Sequence, residues 1–310
     1  MKSNQSNIKK AKKYLNKNYC IGVPTETVYG LAANAYVDSA VKKIFNLKKR
    51  PKNIPLIVHY LGIDSLKKDC LLNSNFIKLY NKFSPGPITY ILRLKKNSKI
   101  SKNVTNNKRN LAIRFPKHRI FKELLKKLDY PVAAPSANIT TKVSAVRAID
   151  VKEEFGNKIR YILDGGRCTI GIESTIINLT GKPTILRLGG LNISAIKKVL
   201  GLKININIKP KNKIAPGQSL LHYSPGVPLK MNAVKAKNDE AFILIKKRKI
   251  KLKNYFYLSK KNNLNEAAKN LYTCLRKAKN RGYKSIAVEK ISNKGLGKAI
   301  NDRLNRASQY

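Results

Sequence analysis

The sequence predicts an α/β protein of two units, a larger N-terminal domain built on a large sheet and a smaller α/β unit behind it. Three observations carry this expectation. Helical and strand patterns alternate along the whole chain. Its 310 residues exceed the roughly 250 that one hydrophobic core usually organises. Between 202 and 228 the text turns to Lys, Pro and Gly with little helical periodicity, which marks an ordered linker or lid. The units are therefore 1–201, a linker at 202–228, and 229–310.

Ile8, Ala11, Tyr14 and Leu15 follow helical spacing, and residues 20–23 form a short buried strand ending at Pro24. Asp38 caps a helix carrying Val41, Ile44, Phe45 and Leu47, which stops before Pro51. Strands are expected at 56–58, 88–94 and 111–115. An amphipathic helix with Phe121, Leu124, Leu125 and Leu128 leads into a strand at 132–134. A helix near 144–155 precedes strands at 161–163, 174–179 and 184–188. In the second unit, strands at 242–245 and 255–257 come before a helix with Ala267, Leu271, Cys274 and Leu275. A strand at 286–288 and a helix at 296–304 close the chain. Whether the strands run parallel is left open by this pattern.

The chain carries 65 Lys+Arg against 16 Asp+Glu, a net charge of +49. So few acids argue against sites built from carboxylate clusters. The charge invites a nucleic-acid reading, but Lys outnumbers Arg 51 to 14 and the excess is spread, +28 over 1–201 and +21 over 202–310. Cys20, Cys70, Cys168 and Cys274 are scattered, without a CxxC pair, which fits a reducing compartment. No signal-peptide core and no run of about 18 apolar residues is present, so a cytoplasmic protein without a membrane span is expected.

Chemistry is expected in small, hydroxyl-rich loops at strand ends. These are Pro24-Thr25-Glu26-Thr27-Val28-Tyr29-Gly30, Pro135-Ser136-Ala137-Asn138 and Gly171-Ile172-Glu173-Ser174-Thr175, with Lys48-Lys49-Arg50-Pro51 at a helix end. Hydroxyls, backbone N–H groups and cations suit anionic oxygens. Walker A, GxGxxG and HExxH motifs are absent, as is any Ser-His-Asp or Cys-His set.

Taken in order, IGVPTETVYGLAANA (21–35), KKRP with PLIVH (48–59), FSPGPITYIL (83–92), LAIRFP (111–116), PVAAPSAN (131–138) and GIESTIINL with ILRLGG (171–190) resemble the YrdC-like domain of threonylcarbamoyl-AMP synthases. APGQSLLHYSPGVPL (215–229) and GLGKAINDRLNRA (295–307) resemble the long, two-domain form of that family. The resemblance implies a large twisted mixed sheet and a Rossmann-like C-terminal domain. It also implies an enzyme that turns L-threonine, bicarbonate and ATP into threonylcarbamoyladenylate, diphosphate and water. Partner proteins would then pass the threonylcarbamoyl group to adenosine 37 of tRNAs. The amine forms a carbamate, whose oxygen attacks the α-phosphorus of ATP. No covalent nucleophile is needed.

By the same resemblance, Lys48 and Arg50 form a KxR pair on the ATP phosphates. Asn110, Ser136, Asn138, Ser144, Arg187 and Tyr223 would serve ATP, Tyr223 as part of a lid. Thr25 or Thr27, His59, Arg114, Ala134 and Ser174 would serve threonine, with Arg114 gripping its carboxylate. Two positions depart from the family pattern. Ile54 stands where a polar ATP contact is common, with Asn53 or a backbone group as substitute, and the stretch before Ser144 is altered. Mg²⁺ is expected with ATP, held mainly by phosphates and water, with no dedicated protein ligands. The alternatives are a non-catalytic module binding double-stranded RNA or tRNA, and a carbamoyl-transfer domain of the hydrogenase-maturation kind. The second of these expects acylphosphatase-like and zinc-finger segments upstream.

Overall fold

The N-terminal stripe behaves as its spacing predicts. In the computed structural model, which describes residues 2–309 apart from Leu202, Lys203, Lys209, 211–214, Ser219 and Lys251, Ile8, Ala11 and Leu15 of α1 (Lys2–Asn16) are buried against Phe121, Leu124 and Leu125. The large domain continues through β1 (Ile21–Val23), β2 (Gly30–Asn34), α2 (Asp38–Lys48), β3 (Ile57–His59), α3 (Ile63–Leu66), α4 (Ser74–Phe83), β4 (Ile88–Arg93) and α5 (Lys102–Thr105). It is completed by β5 (Asn110–Arg114), α6 (Arg119–Lys126), β6 (Val132–Ala133), α7 (Ala148–Phe155), β7 (Tyr161–Ile162), β8 (Thr175–Asn178), β9 (Thr184–Arg187), α8 (Ile193–Leu200) and β10 (Asn205–Ile206).

Among the described residues these ten strands form one sheet in the order β10-β9-β8-β4-β5-β3-β6-β2-β1-β7. It is mixed. β3 runs parallel to β5 and β4 to β8, whereas β1–β2, β4–β5 and β8–β9 are antiparallel. Both faces of β4 and β8 are buried, Ile88, Tyr90, Leu92 and Ile177 in the main core and Ile91 and Ile176 in a second cluster with Ala215 of the linker. The second domain has a wholly parallel sheet, β11-β14-β12-β13, from β11 (Leu229–Lys230), β12 (Glu240–Lys246), β13 (Tyr255–Ser259) and β14 (Ser285–Val288). Its helices are α9 (Leu264–Asn280) and α10 (Gly297–Ala307). Asn263 caps α9 by accepting the N–H groups of Asn265 and Glu266. No described helix is long and apolar enough to cross a membrane.

Three expectations are corrected. Asp38 is not a cap: Val37 holds that position without a side-chain bond, and Asp38, the first helical residue, accepts instead from Ser101 and Asn103. Gly30, read as the end of a loop, instead opens the inner strand β2, an element the sequence patterns do not predict. The helix near 144–155 begins only at Ala148. At the domain boundary, α8 packs on α4, and β10 pairs with β9 inside the segment read as linker. That linker's Leu202, Lys203, Lys209, 211–214 and Ser219 lie outside the described residues.

The two domains touch through backbone as well as side chains. Gly171, at φ 82°, lies so close to α9 that a Cβ would sit 2.5 Å from Lys269 Cα and 2.7 Å from its carbonyl oxygen. Arg276 Nη2 donates to Val143 O at 2.6 Å from the opposite side. Gly171→Ala combines this clash with a left-handed backbone, so it should cost about 1–3 kcal/mol of stability. Thermal unfolding reads the loss; an unchanged midpoint would contradict the close approach.

Candidate active site

The loop after β1 is a hairpin tip, because Val23 pairs with Gly30 and 24–29 project from the sheet end. Thr25 Oγ1 sets its shape. It accepts the N–H groups of Thr27 (3.1 Å) and Val28 (3.2 Å) and donates to Val28 O (2.7 Å). It also lies 2.9 Å from Thr27 Oγ1, a contact in which either hydroxyl can donate. The Thr25 hydroxyl is committed to the turn, whereas Thr27 Oγ1 also accepts from Arg114 Nη1 at 2.7 Å.

Register brings the other groups to the same end. Parallel β3 and β5 place His59 opposite Arg114, and antiparallel β8 and β9 bring Ser174 beside Arg187. Thr25, Thr27, Arg50, His59, Arg114, Ala134, Ser136, Ser174, Arg187 and Tyr223 line one cavity of about 40 Å³. Pro216, Gly217, His222 and Tyr223 of the linker close over it. Gly217, at φ 83°, must be glycine, since a Cβ would lie 2.9 Å from both Tyr223 Oη and Arg187 Cδ.

Three arginines dominate this chamber. Arg50 donates to the carbonyls of Ile54 (3.3 Å) and Pro55 (3.0 Å). Arg187 donates to Ser174 O (3.0 Å), Ser174 Oγ (3.0 Å) and Pro216 O (3.3 Å). Arg114 donates to Gly86 O (3.3 Å) and Thr27, and forms a buried ion pair with Glu26 at 2.6 Å. A guanidinium has five N–H groups, so each keeps at least two beyond these bonds. Burial and the nearby Arg187 push Arg50 down to about 10, which leaves it charged at neutral pH.

Both ring nitrogens of His59 lack a partner, as do His222 Nδ1 and the Tyr223 hydroxyl. Burial and the Arg114 charge hold His59 neutral, and burial drives His222 down to about 3. Buried polar atoms without partners are rare. Here they face a chamber rich in cations. Tyr223, at φ 63°, is fixed by His222 (ring centroids 4.0 Å apart) and Tyr272 (5.8 Å).

Four sequence-derived candidates do not line the cavity. Lys48 is buried behind it, with Nζ donating to Ser136 O at 2.6 Å and to Asn138 O, so it holds the 135–138 loop from beneath. Burial and Arg50 lower its proton affinity. Asn138 turns its amide to Ile139 O and Lys142 O. Ser144 donates to Glu173 Oε1 at 2.7 Å. Asn110 starts β5, about 13 Å along the strand from Arg114. Ile54 is buried and serves Arg50 through its carbonyl, while Asn53 is exposed.

Glu26, Glu173 and His222 were missed. The two glutamates are scarce acids inside the quoted loops, which is a legible signal, since a buried acid demands a partner. Glu173 lines the cavity and takes Ser144 Oγ, Tyr272 Oη (2.8 Å) and Arg303 Nε (3.0 Å). Tyr272 and Arg303 come from the second domain, 99 and 130 residues downstream. No local pattern announces them.

Comparison with known proteins gives this geometry a context. A family model described as Telomere recombination, covering Sua5, YciO and YrdC proteins, matches residues 13–189. One described as Threonylcarbamoyl-AMP synthase, C-terminal domain, matches 191–309. A threonylcarbamoyl-AMP synthase of Pyrococcus abyssi is 35% identical over 96% of this chain and 92% of its own length. A Bacillus subtilis threonylcarbamoyl-AMP synthase is 32% identical over 99% of this chain and 94% of its own length. The crystal structure of P. abyssi Sua5 complexed with L-threonine superposes with a TM-score of 0.89 at 34% identity, covering 98% of this chain and 94% of that one.

Burial would raise the Glu173 carboxyl, but Arg303 and Arg187 outweigh it and bring it from 4.5 to about 2. A carboxyl held low stabilises the fold fully above its unfolded pKa, and that contribution is lost as pH falls toward the folded value. Stability should therefore drop between about 4.5 and 2. Glu173→Gln should remove part of that slope in acid titrations of unfolding. Superimposable wild-type and variant profiles would contradict the ion pair.

Proposed function

The chain belongs to the threonylcarbamoyl-AMP synthase family in its two-domain form, and from that premise we propose that this chamber is where L-threonine, bicarbonate and ATP meet. The chain is an enzyme that makes threonylcarbamoyladenylate in a nucleotidyltransferase reaction with ATP. The observation that carries our reading is the convergence of Arg50, Arg114 and Arg187 on one chamber whose lining holds a single carboxylate, Glu173. Such a surplus of positive charge suits anionic substrates.

Threonine would sit at the Thr27, His59, Arg114 and Ala134 end, its carboxylate on the remaining N–H groups of Arg114. Thr25 shapes the turn, and Ser174 sits between the two ends because its hydroxyl already holds Arg187. Arg50, Ser136, Arg187 and Tyr223 would take the nucleotide. Neutral His59, with both nitrogens unpartnered, can bond the threonine amine or hydroxyl. The amine adds to the one-carbon unit with loss of water, giving a carbamate. A carbamate oxygen then bonds to the α-phosphorus while the α–β bridging P–O bond breaks, and diphosphate leaves with the electron pair. Arg50 and Arg187 stabilise the charge growing on diphosphate. Lys48 shapes the phosphate loop from beneath.

Mg²⁺ would arrive on the ATP phosphates and screen their charge. Glu173, the carboxylate in the lining, already accepts from Ser144, Tyr272 and Arg303, so phosphates and water would supply most of the Mg²⁺ ligands. Pro216, Gly217, His222 and Tyr223 of the linker line the chamber, so a nucleotide bound there would lie against them. The adenylate would pass to a tRNA-modifying threonylcarbamoyl transferase.

Diphosphate release from purified protein should require ATP, L-threonine and bicarbonate together; release without threonine would overturn the reading. Arg50→Ala should lower kcat/KM by about 100-fold or more with the fold retained. Wild-type turnover in that variant would remove Arg50 from the phosphate site.

A further inference from the structure

We propose that Arg303, on the last helix of the second domain, is a positioning residue for ATP: by claiming the Glu173 carboxylate it keeps that carboxylate off Arg187 and leaves Arg187 available to phosphate. This rests on the chamber being the ATP site, as argued above.

Glu173 and Arg187 are neighbours. Ser174, the next residue after Glu173, holds Arg187 through both its carbonyl and its hydroxyl, each at 3.0 Å. Each charge is felt by the other, and among the described residues no carboxylate lies within ion-pair distance of Arg187. An acid this deeply buried needs a compensating cation. The present one is Arg303, fully buried, with Nε 3.0 Å from Glu173 Oε2 and Nη1 2.9 Å from Asp302 Oδ2. Tyr272 and Ser144 fill the rest of the carboxylate.

Arg303 also lies under the lid, its Cζ 5.1 Å from the centroid of the Tyr223 ring. Without it, the cation available to Glu173 in the chamber wall is Arg187, which keeps two uncommitted N–H groups. Capture there would set a carboxylate against the incoming triphosphate and occupy the donors meant for it. The second domain thus contributes a charge that acts on the active site through Glu173.

The test is a double-mutant cycle read by steady-state kinetics and by calorimetric titration with ATP. Arg303→Gln should raise KM for ATP about ten-fold or more while KM for threonine changes less than about two-fold. Adding Glu173→Gln should restore most of the ATP affinity, because a neutral amide no longer competes for Arg187. A double variant as weak as Arg303→Gln alone overturns the proposal, as does an equal rise in both KM values, the mark of a merely structural role. If Arg303→Gln gives no cooperative thermal transition, the comparison is Glu173→Gln against the double variant. Equal ATP affinity supports the proposal and a further loss overturns it. Failure of the wild-type protein to bind ATP would instead sink the parent reading of the chamber.

Discussion

Buried positive charge is the constraint around which this molecule is arranged. Buried Arg114 and Arg187 and half-buried Arg50 sit in the wall of one chamber, with buried Lys48 just behind it. Removing such groups from water is costly unless their N–H groups are met. The fold meets them largely with backbone carbonyls, those of Ile54, Pro55, Gly86, Ser136, Ser174 and Pro216. Carbonyls satisfy hydrogen bonds without cancelling charge. The chamber therefore stays electropositive until an anion enters, and its directionality is fixed before binding.

The two carboxylates that do approach are handled differently. Glu26 pairs with Arg114 and also accepts the backbone N–H of Lys117 at 3.0 Å, so it braces Arg114 from within the large domain. Glu173 is neutralised from outside that domain, by a side chain 130 residues downstream. The interface thus carries electrostatic information as well as packing. Gly171 lets α9 approach two residues from Glu173, and Tyr272 on that helix both bonds Glu173 and stacks on Tyr223. Linker, second domain and chamber wall meet at one carboxylate.

Much of this was legible in the sequence because it depends on local pattern. The α1 stripe, the buried runs of β4 and β12, and the stop of α2 before Pro51 all follow from periodicity and backbone rules. β2 was not legible, because Gly-Leu-Ala-Ala-Asn carries little strand preference and becomes a strand through burial between β1 and β6. In the site, the loops around Thr27, Ser136 and Ser174 were found because small hydroxyl residues at strand ends have a recognisable chemistry. Lys48 and Ser144 sit in the right motifs but point at protein groups, and composition cannot tell which way a side chain turns. Arg303 and Tyr272 were out of reach altogether, since only the tertiary fold brings them to Glu173.

The most direct measurement is a crystal structure of the protein with L-threonine and a non-hydrolysable ATP analogue bound together. The account predicts the threonine carboxylate on Arg114 and phosphate oxygens on Arg50 and Arg187, with Glu173 still held by Arg303. Ligands bound outside the chamber, or a triphosphate that leaves Arg50 and Arg187 on their carbonyls alone, would contradict it.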